Sequence, residues 1–157
     1  MSSLLLRRLW LGGALAAALA SAAAAETAAP RLELKAGQAI AFAATVQDGK
    51  VSLGTPRPAK PDAADLKDGE IAVAVVKHGL SPYAELTAVE KSSVPIDFVA
   101  TGLIGNILID EIVICGRLDA PVTQRIASGA WRVSLNRFAV HADGAAPPAT
   151  GALPCPK

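Results

Sequence analysis

Apolar and polar positions alternate with a period of two along most of this chain, the pattern of strands with one buried face. From Arg31 to Lys35, Leu32 and Leu34 share a face between charged neighbours. From Gln38 to Val46, Ile40, Phe42, Ala44 and Val46 form a bulky face opposite Ala39, Ala41, Ala43 and Thr45. Asp48-Gly49 then supplies a two-residue hairpin turn leading into Val51 and Leu53. In Glu70 to Lys77 both faces are apolar, with Ile71, Val73 and Val75 against Ala72, Ala74 and Val76, which predicts a strand in mid-sheet.

The longest β-branched run, Ile96 to Leu118, is the element around which the rest is organised. It reads as two strands, Ile96 to Thr101 and Ile107 to Leu118, folded back on each other around Gly102 to Asn106. In the last strand, Trp131 to Val140, Trp131, Val133 and Leu135 alternate before Phe138 and Val140 take the opposite parity, so a β-bulge is expected at Asn136-Arg137. Ser81 to Lys91 carries a helix-start pair, Ser81-Pro82, and threefold spacing of Tyr83, Leu86 and Val89. Its period of two and its flanking strands favour a strand. Asp119 to Gly129, with Asp119 as cap, Pro121 in the first turn and Gly129 as the stop, predicts a short helix. Between Thr55 and Asp68, Pro56, Pro58 and Pro61 predict a covering loop, with one helical turn over Asp62 to Lys67.

Seven to eight short strands and at most one or two helical turns define an all-β chain, a single antiparallel β-sandwich or small barrel. Phe42, Phe98, Ile112, Ile114, Trp131 and Val133 are the expected core.

With 157 residues the chain has room for one domain. Residues 1–25 have the form of a secretory signal peptide: a short segment charged by Arg7 and Arg8, about a dozen apolar residues, and small residues up to Ala25. Cleavage after Ala25 leaves a β-sandwich domain at 26–141 and a Pro/Ala/Gly-rich tail at 142–157. The segment around Arg7-Arg8 fits a twin-arginine signal only in part, so the general secretory route is expected. The expected destination is the periplasm or the exterior, with no transmembrane segment after signal removal. Removing residues 1–25 takes two of the 15 basic residues and none of the 14 acidic ones, so the mature chain carries 13 − 14 = −1. That near-neutral balance argues against nucleic acid and against an anionic membrane surface as partners.

Export also bears on the two cysteines. Cys115 and Cys155 are expected to form a disulfide that tethers the tail and closes a loop of about 40 residues, stabilising by about 3–4 kcal/mol. A redox-active pair would want C-x-x-C spacing.

Candidate chemistry is sparse. Asp110 and Glu111 are neighbours in an apolar strand, so one of them must share a face with apolar residues. Desolvation would raise that carboxyl toward general acid or base work; the plainer outcomes are an ion pair with Arg132 or Arg137, or an edge strand. His78 and His141 are the two histidines, too few for the three or four ligands of a metal centre without carboxylate help, and no metal or cofactor is expected. No serine sits in a Gly-x-Ser-x-Gly elbow. Leu103 and Ile104, between Gly102 and Gly105, are candidate partner contacts at a hairpin tip, or else buried beside glycine-marked bulges.

Two functions follow. The favoured one is an exported, non-enzymatic binding or envelope-interaction module whose partner is an envelope protein or a small ligand. The alternative is a small hydrolase- or lyase-type enzyme using Asp110 or Glu111 with a histidine. A pocket lined by convergent polar groups discriminates between them.

Overall fold

The computed structural model describes residues 29–60, 65–79, 81, 83–118, 120–127, 132–142 and 155. Among these, ten strands follow in order: β1 (Leu32–Lys35), β2 (Ala39–Gln47), β3 (Lys50–Leu53), β4 (Arg57–Pro58), β5 (Glu70–Lys77), β6 (Tyr83–Glu90), β7 (Ile96–Ile104), β8 (Ile107–Ile114), β9 (Val122–Ala127) and β10 (Arg132–Val140). They form two antiparallel sheets. One has four strands in the order β1-β10-β7-β8. The other runs β3-β2-β5-β6-β9, with β4 pairing alongside β2. The signal-peptide segment, Trp131 and most of the tail lie outside the described residues. No helix among the described residues is long and apolar enough to cross a membrane.

Local sequence explains the β2–β3 hairpin. Asp48 and Gly49 both adopt positive φ, 51° and 73°, as a turn matched to the twist of its strands demands. β5 lies mid-sheet between β2 and β6, with Ile71, Val73 and Val75 buried on one face and Ala72 and Ala74 on the other, while Val76 is exposed. β6 is a strand over Tyr83–Glu90, and its period of two sends Leu86 into the core between the sheets and Val89 to a second cluster on the other face. That second cluster joins Ala41, Ala72 and Val89 to Leu66 and Ala59 of the proline-rich segment, which covers the six-stranded sheet. Arg57 latches this cover down. Its Nε and Nη2 donate to the two oxygens of Glu70, at 3.1 and 2.5 Å, and Lys67 N–H adds a third bond at 2.9 Å. The Arg57 hydrogen bond, backed by Lys67 N–H, holds the Glu70 carboxyl down to about 2.

Several expectations are corrected. Within the segment expected to be a short helix at 119–129, Val122–Ala127 is strand β9, paired with β6 from Tyr83↔Ala127 to Ala88↔Val122. β6 would otherwise expose an unpaired edge, and β-branched Val122, Thr123 and Ile126 suit the pleat, with Ile126 fully buried. β4 and β9 bring the strand count to ten. The Ile96–Leu118 pair is central in its first strand alone: β7 is flanked by β10 and β8, but β8 is an edge strand of its sheet. Ile112 is accordingly half-buried, while Phe42, Phe98, Ile114 and Val133 are fully buried. The hairpin tip also lies later than expected, at Gly105-Asn106, because β7 continues past a register shift between Gly102 and Leu103 to pair Ile104 with Ile107.

The predicted parity switch in β10 is present as a register shift between Asn136 and Ala139, with Arg137 at φ 51°. It turns Phe138 into the core, edge-on to Phe42 at 5.9 Å and stacked on Phe98 at 5.4 Å. The same kink points Arg137 outward, where it pairs with Glu111.

Candidate functional site

Two clusters of polar groups stand out, and they are built differently. The first fastens one end of the sandwich. Cys115 and Cys155 form a disulfide with Cα atoms 5.5 Å apart, tying residue 155 to the end of β8. Next to it, Asp97 of β7, almost wholly buried, accepts a bond from Gly116 N–H at 2.8 Å and faces His141 Nδ1 at 2.8 Å. Gly116 is needed there: a Cβ would lie 2.5 Å from the backbone nitrogen and oxygen of Ile96. His141 N–H donates to Pro95 O at 2.9 Å. Asp97 and both sulfurs lie within 4.8 Å of one another, but the sulfurs are bonded to each other and offer no thiolate to a metal.

Behind this fastening lies Glu90, at the end of β6 and 5% exposed. Its Oε2 accepts from Ile96 N–H at 3.1 Å, while Oε1 has no partner among the described residues. Burial, with the nearby Asp97 charge, pushes this carboxyl up to about 8 against the single bond from Ile96. A depression of about 420 Å³ opens beside it, lined by Asp68, Lys91, Ser92 and Leu118 among others. Lys91 Nζ is spent on Asp68 at 3.1 Å and Leu66 O at 3.3 Å.

The second cluster is the outer face of the four-stranded sheet. Strand register aligns Glu33, Ser134, Thr101 and Glu111 in one row across β1, β10, β7 and β8. The row on one side contains Lys35, Arg132, Leu103 and Leu108, and the row on the other Asn136, Val99 and Val113. Arg31 stands just ahead of β1, and its Nη2 donates to Glu33 Oε1 at 3.0 Å. Arg132 donates to Glu33 Oε2 at 3.3 Å, to Asn106 Oδ1 at 3.3 Å and to Gly105 O. Asn136 Nδ2 donates to Thr101 Oγ1 at 3.1 Å. Between these side chains runs a groove of about 480 Å³, whose wall includes Leu103. Ser134 lines it, is 1% exposed, and its Oγ has no partner among the described residues.

Of the two acids singled out in the sequence, Glu111 ends the outer-face row without lining the groove, and Asp110 is not in that row. Asp110 Oδ2 accepts from Ala127 N–H at 2.8 Å, where β8 runs beside β9, and Oδ1 accepts from Glu111 N–H at 2.9 Å. Glu111 is exposed and paired with Arg137. Neither meets a histidine: His78 pairs with Glu85 at 3.0 Å, and His141 with Asp97. Of the two aliphatics at the hairpin, Leu103 is buried against the groove and Ile104 is exposed, next to exposed Ile107 and Leu108. Glu90, Asp97 and Ser134 were not singled out from sequence. The signal that could have pointed to Ser134 was a lone serine at an outward position of a strand whose inward positions are Val133 and Leu135.

Comparison with protein-family models, with curated proteins and with solved structures returned no match to this chain.

Proposed function

We propose that this protein is an exported, non-enzymatic binding module whose ligand face is the outer surface of the four-stranded sheet. The observation that carries this reading is the Ser134 hydroxyl, buried and unpartnered on the wall of a polar groove. A buried hydroxyl left unbonded costs about 1–3 kcal/mol, and a ligand that bonds it recovers that energy. The neighbouring groups are spread over three strands, with Arg31 just ahead of β1 and Asn106 in the β7–β8 turn, so sheet register pre-organises most of them. Export is supported by the signal-peptide pattern of residues 1–25 and by a disulfide, which persists in oxidising compartments. The exposed Ile104, Ile107 and Leu108 offer a separate contact for an envelope protein at the rim of the same sheet.

The test is amide-shift mapping of the mature protein against the small-molecule fraction of its own compartment. Shifts concentrated at Glu33, Thr101, Ser134 and Asn136 support the reading; shifts confined to Glu90–Ser93 overturn it. N-terminal sequencing of protein from the native host is expected to begin within a residue or two of Glu26.

Glu90 favours a second reading, a small hydrolase- or lyase-type enzyme. A carboxyl pushed up to about 8 keeps its proton at neutral pH and can donate it into the adjoining depression. Turnover of any substrate that vanished in Glu90→Gln would establish this reading in place of the first.

A further inference from the structure

We infer that the groove on the outer face of the four-stranded sheet takes a small organic monocarboxylate, held by Arg31 and Arg132 over the hydroxyls of Ser134 and Thr101. The inference rests on that face being the ligand face, and it follows from counting donors and acceptors. Each guanidinium has five N–H donors and no acceptor. Arg31 directs one nitrogen at Glu33, and Arg132 reaches Glu33, Asn106 and Gly105, so donors remain on both. The Thr101 oxygen accepts from Asn136, which leaves its own proton to donate. Ser134 Oγ is uncommitted. Glu33, the carboxylate among the described lining residues, already takes a guanidinium on each oxygen, so its charge is matched within the groove. Charged donors therefore outnumber charged acceptors in the groove, which favours a ligand that accepts.

Charge narrows the class. Arg31, Arg132 and Glu33 sum to +1 + 1 − 1 = +1, which one carboxylate neutralises. A phosphate dianion would overshoot and press a second charge against Glu33. A planar carboxylate also matches the fork of a guanidinium, each oxygen taking a charge-assisted bond. Leu103 forms an apolar stretch of wall for the hydrocarbon part of such a ligand, and about 480 Å³ lies within the range of small-molecule sites.

The experiment titrates the mature, disulfide-bonded protein with butyrate, benzoate, butyramide and inorganic phosphate at constant ionic strength, following amide shifts. Saturable shifts at Thr101, Ser134 and Asn136 with butyrate or benzoate are expected, with butyramide at least tenfold weaker. Arg31→Gln should weaken the carboxylates about tenfold. Ser134→Ala should weaken them severalfold while its thermal midpoint stays level or rises, which separates lost binding from lost folding. Groove shifts that are as strong with butyramide, or stronger with phosphate, would overturn the carboxylate assignment and leave the ligand face standing. No groove shift with any probe would overturn both.

Discussion

The outer face of the four-stranded sheet and the fastened end of the sandwich each bury one oxygen without a partner among the described residues, and they handle it in opposite ways. At the fastened end the oxygen belongs to Glu90, a group that can change its charge. Burial keeps its proton on, so the cost of the missing bond becomes a dependence on pH. On the outer face it belongs to Ser134, whose hydroxyl has no second state near neutral pH. Its cost stands until something binds. Their surroundings differ as well. Asp97 spends its acceptors joining Gly116 and His141, so the end is a fastening, whereas Arg31 and Arg132 keep unspent donors beside a groove that Ser134 and Thr101 also line. A buried polar group thus marks a site only when its neighbours are left unsatisfied in a complementary sense.

The comparison breaks first at the fastening. Reducing the disulfide should lower stability by about 3–4 kcal/mol on the chain-entropy account, read as a shift of the urea midpoint. Asp97→Ala should cost on the order of 3 kcal/mol, because two bonds to a charged acceptor go and Gly116 N–H is left buried. Both act on one end of the molecule, so their combined loss should fall short of the sum. Gly116→Ala forces backbone apart at Ile96 and should cost about 1–3 kcal/mol. A ligand-face probe should bind that variant unchanged where it is still folded.

The pH dependence sharpens the contrast between two glutamates at the same end of the six-stranded sheet. Glu90 is raised from 4.5 to about 8, so its contribution is fully present below about 4.5 and is lost as pH rises through about 8. Glu70 is lowered from 4.5 to about 2, so its contribution is present above about 4.5 and is lost as pH falls through about 2. Glu90→Gln should flatten the fall in urea midpoint between pH 5 and pH 8 and leave the acid limb unchanged. A slope identical to that of the parent protein would sink the assignment. The smallest effect belongs to the outer face. Ser134→Ala, without ligand, should be neutral or stabilise by about 1 kcal/mol, since the unbonded hydroxyl disappears. A loss of 2 kcal/mol or more would show that Ser134 has a structural partner and is not waiting for a ligand.

Much of the fold was legible along the chain because its causes are local. Period-two alternation marks β2 and β10, and runs apolar on both faces or rich in β-branched residues mark β5 and β7, so these strands could be read directly. Asp48-Gly49 tolerates the positive φ its turn requires, and the change of parity from Leu135 to Phe138 has a bulge as its one cheap solution. Two cysteines leave one intramolecular pairing. What tertiary structure decided is everything that depends on which strand lies beside which. Whether β8 is central or edge, and whether 122–127 coils or pairs, turns on the open edge a distant strand presents. The candidate site is of the same kind. Glu33, Thr101 and Ser134 are tens of residues apart and individually ordinary, and Asp97 meets His141 across 44 positions. Hydrogen-bonding groups acquire a function only when register sets them side by side, and register is a property of paired strands, which no single stretch of sequence contains.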